Sequence, residues 1–356
     1  MTDRFDASGL IAFAETLFAK AGLEPAKAAA VATYLVEADL MGHTTHGLAL
    51  AGWYLQSIVD GVMTQTGDPE VVADRGAAVC WRGRRLPGAW LTSEAVKLAA
   101  DRALAHGTCT VAIGDSHHVG ALAAYLTLAT DRGFMVSIAS SSPSGAQVAP
   151  FGGRVGVYTP DPVAHGIPTP GEPILVDISA SITTVNMAQR LIREGRAYEH
   201  DWLLDRDGNP SRDPRVVQDG GTLLPTGGLD HGQKGYGMAL HAEALTQGLS
   251  GYGRADEPEG TNAAVTVQVW DPEAFGGREA FLRQTGWLAD TCRANPPRPG
   301  VSAVRLPGQA ALACRRAALT DGMALHPGII ESLAPHAARL GVALPRAMSR
   351  AEVSPG

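Results

Sequence analysis

The chain has 356 residues, 45% of them apolar, enough for one large domain or two to three ordinary ones with a sizeable core. Its formal net charge is −7 and it has no cluster of Lys and Arg, which argues against nucleic acid as a partner; Arg82, Arg84 and Arg85 read as a solvated loop. Lys, Glu and Asp interrupt the Ala-rich stretches too often for a bilayer span, so no membrane is expected.

Met1 to Phe5 carries both signs of charge and no long apolar stretch follows, so no secretory leader is expected. The first 60 residues read as helical. Asp6 or Ser8 caps a helix that ends at Gly22, and Pro25 opens a second that runs to Met41 with Gly42 as its stop. A third runs from near Gly47 to Gly61, with Leu48, Trp53, Leu55, Ile58 and Val59 as a buried stripe. From Val71 the pattern changes. β-like runs appear at 71–80, 108–114, 134–140, 174–178, 264–270 and 301–305. Helical runs lie between them at 88–106, 119–132, 183–195, 235–250 and 276–294, and helices at 309–322 and 327–340 close the chain. Gly152-Gly153 and Asp207 to Pro210 are turns. The class is α/β (or α+β), divided into a helical part over 1–70, a central domain over 71–305 and C-terminal helices over 306–356 that return to the first part. Cys80, Cys109, Cys292 and Cys314 form no CxxC and read as reduced, buried thiols of a cytoplasmic protein.

No G-x-G-x-x-G links a strand to a helix. Gly251-Tyr-Gly253 and Gly235-Tyr-Gly237 both lack the third glycine. What stands out instead is a pair of glycine-flanked histidine segments, Gly42-His43-Thr44-Thr45-His46-Gly47 and Ser116-His117-His118-Val119-Gly120. Both read as helix starts. There, unpaired N–H groups favour a bound carboxylate and disfavour imidazolium, and a neutral–protonated pair of imidazoles suits acid/base work on a carbonyl. The plainer reading, a cap or a packed ring, fits His43 and His117. A metal site from His43, His46, His117 and His118 is also conceivable. But adjacent histidines rarely ligate one ion and no Cys, Asp or Glu sits at ligand spacing, so no metal is assigned.

The series continues in order: Ala38-Asp39, His46-Gly47, Ser116 to Gly120, Ala149 to Gly153, Pro162 to Thr169, Leu175 to Ser181, Lys234 to Gly237, and Arg305-Leu306-Pro307-Gly308. That order and spacing resemble the malate/L-lactate dehydrogenase family, which includes ureidoglycolate, sulfolactate and diketogulonate dehydrogenases and cyclic imino acid reductases. The resemblance covers about residues 9–342. It implies a non-Rossmann, largely antiparallel dinucleotide-binding sheet flanked by helices, with NAD or NADP as cofactor. It also implies a homodimer and hydride transfer to or from a small 2-hydroxy or 2-oxo acid, or a related imino acid. Carried over by position, it gives His46 and His118 as acid/base candidates. Asp177 orients or charge-tunes a histidine, or else is a strand-end turn residue. Ser142, Ile178, Ser179, Ser181, Lys234, Pro307, Gly308 and Gln309 fall on cofactor-contacting positions.

Several positions depart from that family. The arginine that clamps a substrate carboxylate four or seven residues after the histidine is here Leu50 or Trp53. Asp161, in Pro160-Asp161-Pro162, replaces an amide; Gln233 replaces a histidine; His117 replaces an asparagine. Losing a clamp and gaining an acid points to a less anionic, or partly cationic, substrate such as an amino or imino acid. The alternative is a family member that has lost hydride transfer and binds or transforms another small molecule.

Overall fold

In the computed structural model, which describes residues 3–348, Asp6 opens the first helix. Its carboxylate accepts the Gly9 N–H at 2.8 Å, satisfying an otherwise orphaned donor of α1 (Ala7–Lys20). Met1 and Thr2 of the leader reading, and residues 349–356 of the predicted C-terminal part, lie outside the described residues. Pro25 takes the first position of α2 (Pro25–Leu40), where its missing N–H costs nothing. A 3₁₀ turn at Leu48–Leu50 leads into α3 (Ala51–Val59). Its buried stripe differs from the prediction. Leu48, Leu55 and Ile58 are buried, but so is Tyr54, while Trp53 and Val59 are exposed.

The predicted run 71–80 is a hairpin, β1 (Glu70–Asp74) and β2 (Ala78–Arg82), because the chain reverses at Gly76 with φ +74°. The helix α4 (Gly88–His106) stops at a left-handed Gly107 and feeds β3 (Thr108–Ser116). Residues 119–132 do not form the predicted continuous helix. Gly120 at φ +74° breaks it, leaving a 3₁₀ turn at Leu122–Tyr125 and the single turn α5 (Thr127–Thr130). Then come β4 (Met135–Ser141), β5 (Val163–Ile167) and β6 (Ile174–Ile178). β5 lies between Pro162 and Pro168, which hid it as a strand.

Thr184 caps α6 (Val185–Glu194), accepting the Met187 N–H at 3.2 Å. Three two-residue strands, β7 (Leu203–Leu204), β8 (Pro210–Ser211) and β9 (Thr222–Leu223), make a small antiparallel sheet in the order β8-β7-β9. The helices α7 (Gly228–His231) and α8 (Gln233–Glu243) precede β10 (Ala263–Trp270), α9 (Arg278–Arg293), α10 (Gln309–Asp321) and α11 (Ile329–Leu340). The predicted strand 301–305 is irregular chain. Val301 and Ala303 are exposed, and Pro299-Gly300 and Pro307-Gly308 bracket it.

The main sheet has seven strands in the order β1-β2-β3-β10-β4-β5-β6. Only β2–β3 is parallel, so the fold is α/β with a mostly antiparallel sheet flanked by helices. Central β10 is buried on both faces, as its run of Val265, Val267 and Val269 requires. One core joins α1, α2, α3 and the C-terminal helices to α4 and the sheet; a second, around Val148, Tyr158, Ala180 and Leu223, lies under the small sheet. The edge strand β6 ends beside the 3₁₀ turn at Leu122–Tyr125 that follows the second histidine segment.

Candidate active site

The loop after α2 is held by a buried carboxylate. Asp39 Oδ2 accepts the Leu48 N–H at 2.7 Å, and a Cβ at Gly47 would overlap the Asp39 carboxyl, so only glycine fits there. Burial pushes the Asp39 carboxyl up to about 7. His46 N–H donates to the His43 carbonyl at 2.8 Å, and its ring Nδ1 lies 2.9 Å from Thr45 Oγ1. The second segment leaves β3. There the backbone of His117 and His118 runs against Gly88 at the start of α4, where any side chain would overlap the His117 carbonyl. The two segments bring the rings of His46 and His118 to 6.1 Å between centroids, 23° from parallel.

Neither histidine begins a helix as expected. Residues 119–121 are not helical, and the N–H of Leu48, two residues after His46, is taken by Asp39. Burial supplies the neutrality instead. It lowers His46 to about 4, with help from His43 and Arg190, and lowers His118 to about 3, with help from His46 and His117. The pair is therefore neutral–neutral near pH 7.

The tautomer of His118 follows from its partners. The Gly120 backbone N–H points at Nδ1 at 3.3 Å, and an amide N–H only donates, so Nδ1 is the bare nitrogen. Tyr54 Oη, at 2.7 Å, must then donate to the same atom, leaving the hydrogen on Nε2. Trp53 covers this side, its ring 5.3 Å from His118 and 5.6 Å from His117. His117 is fully buried with neither ring nitrogen partnered, and burial lowers it to about 4.

Asp177, at the end of β6, accepts the Ala123 N–H at 2.9 Å. Burial raises its carboxyl, and His43 and the Ala123 N–H oppose that rise. The next residues form a hydroxyl-rich turn. Ser179 Oγ donates to the Ser181 carbonyl at 2.7 Å, Ser181 Oγ to the Thr183 carbonyl at 2.6 Å, and Thr226 Oγ1 to the Ser179 carbonyl at 2.9 Å. Ile178 is exposed, and Lys234 stands exposed in the first turn of α8. Ser142 lies farther along, its Oγ donating to the Asn262 carbonyl at 2.8 Å. The Ala180 N–H joins the two groups by donating to the Pro160 carbonyl at 2.7 Å. Pro307 and Gly308 pack on β6 from its other end: the Pro307 carbonyl accepts the Leu175 N–H at 3.2 Å, and Gln309 Oε1 accepts the Leu306 N–H at 3.1 Å. They line a cleft of about 730 Å³ with Arg298 and Arg305. Exposed Ile178, the serine hydroxyls and the cations Lys234, Arg298 and Arg305, which form no ion pair among the described residues, fit a dinucleotide, which carries flat rings, riboses and phosphates.

Two substituted positions behave differently from their sequence reading. Leu50 packs on the main core. Asp161 is fully buried, and Thr159 Oγ1 donates to its Oδ1 at 2.5 Å. Burial, then the charge of Glu243, pushes it up to about 8, so it is uncharged at neutral pH and brings no anion to the site. Sequence reasoning missed Asp39, Thr45 and Tyr54 as supports, and Arg190, which reaches the histidine loop from α6. Only the Ala38-Asp39 pairing carried a signal. Among the described residues, no group of three or more His, Cys, Asp or Glu is placed to hold a metal. The thiols are free, but of the four only Cys109 is buried; Cys80 and Cys292 are partly exposed and Cys314 is exposed.

Residues 5–334 match the family described as malate/L-lactate dehydrogenase. The chain is 32% identical over 336 residues to an L-lactate dehydrogenase of Cupriavidus necator, covering 89% of this chain and 92% of that protein. It is 29% identical to a Delta(1)-pyrroline-2-carboxylate/Delta(1)-piperideine-2-carboxylate reductase of Pseudomonas syringae pv. tomato, covering 91% of this chain and 93% of the other. In fold it is similar to the malate dehydrogenase of Entamoeba histolytica, with a TM-score of 0.91 at 21% identity, over 97% of this chain and 100% of that one.

Proposed function

The chain belongs to the malate/L-lactate dehydrogenase family and is an oxidoreductase acting on small hydroxy, oxo or imino acids, and on that premise we propose that it moves a hydride between NAD or NADP and the carbon beside a carboxylate. The observation that carries this reading is the buried, neutral His46–His118 pair with the Nε2 hydrogen of His118 fixed by Tyr54 and Gly120.

When bound, the nicotinamide supplies or accepts the hydride. In reduction, the carbonyl or imine centre gains negative charge as hydride arrives, and a positioned N–H meets that charge best. His118 Nε2–H is such a donor, and His46, backed by Thr45, is the second acid/base group. Asp177 holds the Ala123 backbone. Ser142, Ile178, Ser179, Ser181, Lys234 and the Pro307-Gly308-Gln309 loop hold the dinucleotide, with Lys234 suited to its phosphates. Burial of the histidines excludes water from the reacting atoms.

We place the enzyme in the cytoplasm, supported by its free thiols and by the lack, among the described residues, of a helix long and apolar enough to cross a membrane. We also propose a homodimer, supported by exposed apolar side chains such as Leu240, Leu249 and Trp287, which a second copy would cover.

The test is loss of nicotinamide absorbance, with NADH and NADPH separately, against 2-oxo acids and cyclic imino acids. His118→Ala and His46→Ala should each lower kcat by about 100- to 10,000-fold, the worth of a positioned acid/base group. Full activity in both variants would remove the histidine pair from the reaction.

A further inference from the structure

The helix α6 runs beside the first histidine loop and places one cation there. Arg190 Nη2 donates to Thr44 Oγ1 at 3.1 Å, two residues before His46. The side chain is half-buried, and its Nε is fully buried with no hydrogen-bond partner. Among the described residues, no carboxylate lies within ion-pair distance of its guanidinium, although α6 carries Glu194 and the site holds Asp39 and Asp177. Glu194 pairs with Arg196, Asp39 with the Leu48 N–H, and Asp177 with the Ala123 N–H.

We infer that Arg190 is the carboxylate clamp of this enzyme, presented from α6 and anchored by Thr44. This rests on the 2-oxo or imino acid reading of the same site. An unpaired, part-buried guanidinium is costly to hold and gains most from a planar oxyanion that answers its fork of donors. The carboxylate of such a substrate sits one bond from the carbon that takes the hydride, so its binding group must lie within a few ångströms of the acid/base pair. Arg190 reaches the loop that carries His46, bonded to Thr44 two residues before it. Its charge is felt at His46, helping to lower that ring's affinity for a proton. Neither Leu50 nor Trp53, on α3 and the turn before it, offers a cation. The clamp comes from α6 rather than from α3. With its carboxyl raised by burial, Asp161 opposes an anionic substrate less than its place in the sequence suggests, and Arg190 supplies the cation that Leu50 and Trp53 lack.

The experiment titrates oxamate, an unreactive 2-oxo acid mimic, into wild type, Arg190→Gln and Arg190→Lys, each saturated with nicotinamide cofactor, by calorimetry. Arg190→Gln should weaken oxamate binding about 100-fold, the worth of a charge-assisted pair. Arg190→Lys should recover part of that, and cofactor affinity should be unchanged in all three. In turnover, wild type should prefer pyruvate over its methyl ester and Arg190→Gln should not. Equal oxamate affinity in wild type and Arg190→Gln overturns the inference, as does absence of oxamate binding in wild type. A fall in cofactor affinity would also overturn it, assigning Arg190 to the dinucleotide instead. Turnover of no substrate by wild type would strike the function itself, and the calorimetry separates that failure from this one.

Discussion

The hydroxyl of Tyr54 is buried at the base of an otherwise apolar helix face, with Nδ1 of His118 at 2.7 Å and the His118 carbonyl at 3.4 Å. Removing it in Tyr54→Phe leaves the Gly120 N–H to hold the same nitrogen, so the tautomer persists while the ring gains freedom. The expected result is a kcat about tenfold lower with KM nearly unchanged, and a stability loss of about 1 kcal/mol for the lost hydrogen bond. Steady-state kinetics and thermal unfolding check both. A raised KM with normal kcat would make Tyr54 part of the binding wall instead. This support was not legible in the sequence, because the helical stripe read there runs through Trp53 and Val59 and leaves Tyr54 out. The histidines themselves were legible, because each is set off by a glycine whose requirement is local: Gly47 for Asp39, Gly120 for a left-handed backbone. What made them neutral was not. Helix starts were inferred from spacing, whereas burial, which depends on the whole fold, does the work.

At the scale of elements, the start of α4 sets where the second histidine segment runs. A Cβ on Gly88 would overlap the His117 carbonyl and come within 2.6 Å of the His118 carbonyl, both backbone atoms that cannot swing away. Gly88→Ala should therefore displace His117 and His118 together. Overpacking of this kind costs about 1–3 kcal/mol, and a 1 Å shift of a reacting group costs about 100-fold in kcat. Unfolding midpoints and kcat measured on one preparation would show it; an active, fully stable variant would mean the segment tolerates the move. Helix and strand positions were mostly readable, since Thr184 caps α6, Gly107 stops α4 and β10 carries an alternating valine run. The failures share a cause. Residues 119–132 carry an apolar, alanine-rich pattern that suits a helix, but a left-handed Gly120 precedes it. The run 301–305 has strand-like residues but no paired neighbour, and three two-residue strands are too short to leave a periodic trace.

For the whole molecule, the buried ionisable groups oppose one another in pH. Asp39 at about 7 and Asp161 at about 8 bind protons more tightly folded than unfolded. Their stabilisation is full below the unfolded carboxyl pKa of about 4 and is lost as pH rises through 7 and 8. His46 and His117 at about 4 and His118 at about 3 do the reverse: the unfolded chain takes up their protons first, so stability falls as pH drops below about 6.5. Among these five groups, three unfolded imidazoles outnumber two folded carboxyls at pH 5, and stability rises with pH; at pH 7 the imidazoles have mostly lost their protons in both states, and it falls. Asp115 and Asp177, raised by burial, add to the carboxyl side, and His165, lowered by it, adds to the imidazole side. The maximum should lie near pH 6, roughly where the two proton counts cross. Asp161→Asn should keep the neutral hydrogen-bonding shape and remove one carboxyl from the alkaline limb. Activity at pH 7 should then stay within about threefold, and the melting temperature should decline less from pH 6 to 9. Melting curves of wild type and Asp161→Asn across pH 4–9 measure this. An alkaline limb as steep in the variant as in wild type would mean that Asp161 is ionised in the folded enzyme, and the anionic-substrate argument would lose its support from that residue.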